Sequence, residues 1–374
     1  MKVGLALSMN SFENKSDLQT YQEELRLADM AEPAGMDSIW ALEHHCTGYS
    51  MVPNPLQMLS YFAGRTRRVQ LGTAVIVLPW HDPLRVAEEI AMLDVLAGGR
   101  TIFGFGRGAA SIEYNSYRIP MEEARERFAE TAVIVRQALA NEHFSHQGKF
   151  FQIPRTAIRP RPISHPEQRF YASTISPESA DIMAQMGFGV MIVAQRDWND
   201  VAADLRTYRE VTVKHGHTPK TPIAFVNVVM SEDRGEVDEL NHVYMTRHFE
   251  SVDRHYNFSD GHLKSVKGYE FYGKLSKTYS KLTADETAKA KAVAFYADLQ
   301  LTGTPAQVLE KLRVIYDKTA TSHLIGVFAL GGMPFEAAER SVRLFAEKVM
   351  PVLHNDSAFR DQDEELVQHA AAAR

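Results

Sequence analysis

Glu43, His44 and His45, followed by the single cysteine Cys46, stand directly after the short apolar run Ser38-Ile39-Trp40-Ala41-Leu42. A neutral imidazole accepts a proton near neutral pH, so a histidine here is a candidate general base and the adjoining acid a candidate orienting group. Alternate side chains of an extended segment diverge, so only one of the two histidines is expected to point into a site. Plain packing of both is the other reading. All four residue types can ligate a metal, but neighbours on an extended segment rarely converge on one ion. No H-x-x-x-H or C-x-x-C spacing occurs there, so no metal is expected.

A second stretch, Thr101 to Phe105, runs into Gly106-Arg107-Gly108. Glycines let a ligand approach the backbone, and the Arg107 guanidinium could pair with a phosphate, with Arg125 adding a second positive charge. Packing alone, or a surface role for Arg125 in its charge run, would explain the same residues. The spacing Gly104-x-Gly106-x-Gly108 is not a dinucleotide fingerprint. A third stretch, Ser173 to Ala180, places Ser176 before Pro177 as an N-cap, with Ser179 three residues on. Free amides at a helix start attract anions, so Ser176 and Ser179 with Arg107 and Arg125 would make a phosphate site; a simple helix cap is the alternative.

The elements that must position these groups alternate along the chain. Apolar runs predict strands over 3–9, 38–42, 68–78, 101–105, 169–173, 189–193, 223–229 and 323–330. Between most of them apolar residues recur at helical spacing, as with Leu56, Leu59, Phe62 and Ala63, or Val86, Ile90, Leu93 and Ala97. Eight β-α units favour an α/β (β/α)₈ TIM barrel over a doubly wound sheet, and place strand ends at the active face. The aromatic, proline-rich stretch 141–168 predicts a hairpin insertion. The tyrosine-rich stretch 254–281 has no visible period and predicts a mobile lid. Residues 1–354 are expected to be a single barrel domain and 355–374 a C-terminal tail.

With a formal net charge of -6, the chain has no general attraction to nucleic acid or acidic membranes, and no apolar run is long enough to span one. A single cysteine excludes an internal disulfide framework, and a strand begins at Val3 without a preceding leader. Together these imply a cytoplasmic protein.

The sequence resembles the bacterial luciferase-like family of flavin-dependent monooxygenases, with its catalytic alpha subunits the most similar. The resemblance covers nearly the whole chain and rests on Leu42-Glu43-His44-His45, Leu71-Gly72-Thr73-Ala74, His81-Asp82-Pro83, Gly99-Arg100, Phe103-Gly104, Arg107-Gly108 and Thr302-Gly303-Thr304-Pro305. It implies a (β/α)₈ barrel and His44 as catalytic base, with Glu43 and His45 beside it. The phosphate of reduced FMN (FMNH2) would be held by Arg107, Arg125, Ser176 and Ser179, next to Gly106 and Ser173. Ala74-Val75 corresponds to a cis peptide under the flavin ring. A C4a-(hydro)peroxyflavin formed with O2 would oxygenate a small hydrophobic organic substrate, an aldehyde, ketone or aromatic. A separate NAD(P)H:flavin reductase and a homodimer are the implied partners. The chain departs from luciferase at Gly106, Ile175 and Ala194, so light emission is not implied. Deazaflavin-dependent hydride transfer, metal-dependent hydrolysis and a non-catalytic flavin-binding subunit are the rival readings.

Overall fold

Short runs of bulky residues that are buried on both faces suit parallel strands covered by helices. The computed structural model describes residues 1–174, 177–283 and 285–359. Its strands are β1 (Lys2–Leu7), β2 (Ser38–Ala41), β3 (Gln70–Val77), β4 (Thr101–Gly106), β5 (Phe144–Gln147), β6 (Gln152–Thr156), β7 (Phe170–Thr174), β8 (Gly189–Val193), β9 (Ile223–Met230), β10 (Leu301–Gly303) and β11 (His323–Val327). The large sheet has the order β10-β9-β11-β1-β2-β3-β4-β7-β8, and β8 also pairs with β9, so eight of the strands close a (β/α)₈ barrel. Every residue of β2, β4 and β11 is buried, as the continuous apolar runs require.

The helices are α1 (Asp17–Ala31), α2 (Pro55–Arg65), α3 (Pro83–Leu96), α4 (Ser111–Tyr117), α5 (Ala124–Ala140), α6 (Pro177–Gln185), α7 (Trp198–Lys214), α8 (Arg234–Leu240), α9 (Thr246–Tyr256), α10 (Tyr272–Tyr279), α11 (Glu286–Asp298), α12 (Pro305–Thr319), α13 (Phe335–Leu344) and α14 (Met350–Asn355). Local chemistry starts several of them. Asp82 accepts from the Leu84 and Arg85 amides ahead of Pro83, and Thr304 with Gln307 forms a capping box on α12. Leu59, Phe62, Ile90 and Leu93 lie on the buried faces of α2 and α3, each burial worth about 1.5–3 kcal/mol for a large side chain.

By its packing the chain divides into two compact units, one of Met1–Ile39, Ala172–Phe249 and the chain from Ala290 onward, the other of Trp40–Tyr171 and Glu250–Lys289. In the second unit the predicted insertion is an antiparallel hairpin of β5 and β6. Glu130 on α5 anchors its turn by accepting from the Lys149, Phe150 and Phe151 amides. The buried Asp94 of α3 accepts from Thr101 Oγ1 at 2.8 Å and from the Ile163 amide at 2.8 Å, fastening the end of the insertion to the start of β4. The stretch 254–281 is not irregular, as its sequence suggested, but a series of short helical turns with Phe258, Leu263, Tyr269, Tyr272 and Tyr279 buried. No helix among the described residues is long and apolar enough to cross a membrane.

Candidate functional site

Three consecutive strand ends of the second unit supply the polar residues. The chain leaving β2 carries Glu43, His44 and His45, the chain leaving β3 reaches His81 through one 3₁₀ turn, and the chain leaving β4 gives Arg107 and then α4 with Glu113. Parallel pairing of β3 and β4 puts their C-terminal ends on one side. That is the face where barrels of this kind carry their chemistry.

Glu43 is buried and fully engaged. Its Oε1 meets His81 Nε2 at 2.6 Å and His45 Nε2 at 3.0 Å, while Oε2 accepts from the Val77 amide at 2.8 Å. Burial pushes this carboxyl up, yet the His81 charge and the hydrogen bonds from His45, His81 and Val77 leave it below the usual carboxylate value. Burial pushes His81 down, but the Glu43 charge beside it raises it overall. The other His45 nitrogen, Nδ1, meets the Tyr117 hydroxyl at 2.8 Å.

His44 belongs to a different group. Its Nδ1 lies 3.3 Å from Glu113 Oε1, and its Nε2 lies 3.4 Å from the Tyr256 hydroxyl. Glu113 Oε1 also accepts the His45 amide at 2.7 Å, and His255 Nε2 stands 3.4 Å from the same oxygen without hydrogen-bond alignment. Burial opposes ionisation of Glu113, but the two imidazoles bring its pKa down to about 2. Burial lowers His255 toward its neutral form. Thr47 Oγ1 sits 2.8 Å from His255 Nδ1, and Tyr49 stacks on the His255 ring at 4.6 Å.

Arg107 and Arg125 converge on one oxygen. Arg107 Nη1 donates to the Gly268 carbonyl at 2.8 Å and Arg125 Nη2 to the same carbonyl at 3.3 Å. Gly268 takes φ +88°, which favours glycine, and its amide donates to Glu270 at 2.9 Å. The Arg107 guanidinium lies 4.5 Å over the Tyr269 ring, and Arg125 Nε is buried without a hydrogen-bond partner. Two guanidiniums sharing one neutral oxygen, with an N–H still unsatisfied, have the donor set for a phosphate.

The expectation that one histidine alone would enter a site becomes two histidines in two clusters. The expectation that Glu43 orients His44 is corrected: Glu43 is taken by His45, His81 and Val77, and Glu113 faces His44 instead. Gly106 answers a packing need, since a Cβ there would meet Val75 Cγ2 at 2.5 Å. The Ala74–Val75 peptide is cis, and the β3–β4 register shifts beside it. Ser173 lies on β7 in the first unit, Ser176 lies outside the described residues, and of Ser179 only its place in α6 is described. Among the nearby aromatics, Phe105 packs on Phe170, while Trp80 and Tyr114 stand edge to face at 5.5 Å beside Tyr117. Phe12 is in the other unit, against Gly332. Glu113, His255 and Tyr256 escaped the sequence reading; the one signal was an acid placed soon after a strand end.

The profile of luciferase-like monooxygenases matches residues 1–323. The oxygenase component of a flavin-dependent trigonelline monooxygenase from Acinetobacter baylyi is 32% identical over 186 residues, 48% of this chain and 51% of that protein. An alkanal monooxygenase alpha chain from Photorhabdus luminescens is 24% identical over 338 residues, 90% of this chain and 92% of that one. The chain spans about half the length of the first-ranked curated relatives it matches above 30% identity. The crystal structure of monooxygenase RslO1 from Streptomyces bottropensis superposes with a TM-score of 0.77 at 29% identity, covering 94% of this chain and 99% of that one. The strand-end histidines and Arg107, with Arg125 on α5, thus sit in a chain that belongs to the family of luciferase-like monooxygenases.

Proposed function

We propose that this chain is the oxygenase component of a two-component flavin monooxygenase. It takes reduced FMN from a separate NAD(P)H:flavin reductase, uses O2, and oxygenates a small hydrophobic organic substrate such as an aldehyde or ketone. The observation that carries the reading is the convergence of Arg107 and Arg125, in the same unit as His44. The buried, unpartnered Arg125 Nε fits a phosphate better than it fits a carbonyl alone.

When bound, the reduced flavin would supply the two electrons that activate O2, one oxygen atom of which goes to the substrate and the other to water. The chain's own residues do the rest. Arg107 and Arg125 would hold the phosphate. Gly106, Ala74 and Val75 would support the ring. With Glu113 at Nδ1, the neutral His44 ring keeps its proton on that nitrogen and leaves Nε2 as the acceptor. His44 Nε2 takes or returns the proton as oxygen is transferred, and the buried Trp80 and Tyr114 offer an apolar wall. Assembly as a homodimer belongs to the same reading.

Anaerobic titration with reduced FMN, then rapid mixing with O2 while absorbance is recorded, tests it. The expected result is saturable binding and a transient spectrum unlike either reduced or oxidised FMN. Tight binding without a transient points to a flavin-carrying subunit. Failure to bind FMN, with binding of a reduced deazaflavin, replaces the reading by hydride transfer.

A further inference from the structure

Hydrogen bonding accounts for only part of the group formed by His44, Glu113 and His255: His44 Nδ1 makes a long bond to Glu113 Oε1 at 3.3 Å, and His255 Nε2 stands 3.4 Å from the same oxygen with no bond at all. One ligand atom from each lies within 4.8 Å of the others, although the three come from the β2 end, α4 and α9. The imidazole nitrogens stand 3.3 and 3.4 Å from Glu113 Oε1. A charge-assisted N–H···O bond closes to roughly 2.7–2.9 Å. Ligands about 2.0–2.2 Å from a tetrahedral zinc ion are roughly 3.4 Å apart, a spacing that the two imidazole–carboxylate distances match, while the widest separation in the group, up to 4.8 Å, closes by about 1 Å when an ion is held.

Burial sharpens the point. The side-chain exposures of Glu113 and His255 are 0% and 1%, and both ion-pair partners of Glu113 are imidazoles. Glu113 Oε2 and His255 Nε2 have no hydrogen-bond partner, an arrangement that leaves a buried anion and a buried ring nitrogen facing each other. The outer contacts of a ligand set are in place: Thr47 on His255 Nδ1, the His45 amide on Glu113 Oε1, and Tyr49 stacked on the His255 ring. Two imidazoles and one carboxylate suit zinc and its neighbours rather than magnesium or calcium.

We propose that His44, Glu113 and His255 bind one divalent first-row transition ion, zinc foremost, through His44 Nδ1, His255 Nε2 and the Glu113 carboxylate, with a fourth position open. Binding requires no flavin. Its consequence does rest on the oxygenase reading: an imidazole metallated at Nδ1 keeps its proton on Nε2, so the loaded chain cannot accept a proton there. The ion is then an inhibitor of His44-dependent chemistry and ties α9 to the β2 end.

The test titrates Co2+ into metal-stripped full-length protein carrying Cys46→Ser, which removes the exposed thiol as a competing ligand. The expected result is one equivalent bound with the visible d–d absorption of a four- or five-coordinate site, displaced by Zn2+. That band should be lost in Glu113→Gln and in His255→Gln. Thr47→Val, which alters no ligand, should weaken binding about tenfold while circular dichroism stays native. Absence of a one-equivalent spectrum, or its survival in both ligand variants, overturns the site. Titration of the same preparation with reduced FMN keeps the two failures apart, since flavin binding without cobalt binding sinks only the metal.

Discussion

Glu43 and Glu113 are both buried carboxylates beside two histidines, and the adjacent residues His45 and His44 go one to each. Around Glu43 both oxygens are satisfied at 2.6–3.0 Å, by His81, His45 and the Val77 amide. Around Glu113 the imidazoles stand off at 3.3 and 3.4 Å, and one oxygen has no partner. A closed network holds shape, because every atom in it loses something by moving. An open one keeps donors and acceptors available to a substrate proton or an ion. The difference supports the proposed reading, in which Glu43, His45 and His81 are scaffold and His44 with Glu113 does the chemistry.

The largest effects are expected where this contrast is broken directly. His44→Ala should lower turnover of an accepted aldehyde or ketone by about 10²–10⁴-fold with little change in melting temperature. Glu43→Leu should do the reverse. Removing one partner of a buried, bonded ion pair costs about 3–5 kcal/mol, to be read as a lower midpoint in urea. Glu113→Gln keeps an acceptor for the His45 amide but gives up the charge paired with two imidazoles, and should cost on the order of 2–3 kcal/mol, less than Glu43→Leu.

A third buried carboxylate sharpens the comparison from the other unit. Glu24 accepts from the Ser8 amide and hydroxyl, and it has no histidine beside it. Burial raises its pKa from 4.5 to about 7, against the smaller lowering by those neutral donors. Below pH 4.5 the folded and unfolded chains are both protonated at this group. As pH rises the unfolded chain loses the proton first, so stability falls between pH 4.5 and about 7. The loss is on the order of 3 kcal/mol, and Glu24→Gln should remove it from a series of urea titrations across pH. A wild-type curve that is flat through this window would separate Glu24 from the pattern. The smallest effect is on binding: Arg125→Ala should weaken reduced FMN about tenfold or somewhat more in the anaerobic titration, with Arg107→Ala at least as damaging.

The eight barrel strands and the hairpin were legible because each is a local pattern of apolar runs and turn residues. The places of His44 and Arg107 just beyond β2 and β4 were legible because both follow apolar runs that end in polar residues. The partner of His44 was not. Alternation along Leu42 to Cys46 says that neighbouring side chains diverge, but not what each meets, so the sequence alone does not show that Glu43 meets His45 and His81. Glu113 lies on α4, whose seven residues are too few to show a period. His255 and Tyr256 reach the site from more than 200 residues away, a separation that no local spacing encodes. α11 was missed because its run of alanines and lysines has no clear apolar face, and β10 because it is three residues long.

One rapid-mixing experiment tests the division of labour most directly. Wild type, His44→Ala and Glu43→Gln, each loaded anaerobically with reduced FMN, are mixed with O2 and an accepted carbonyl substrate while absorbance is followed. The account predicts a transient in all three and acceleration of its decay by substrate in wild type and Glu43→Gln alone. Full acceleration in His44→Ala, or its loss in a stably folded Glu43→Gln, would contradict it.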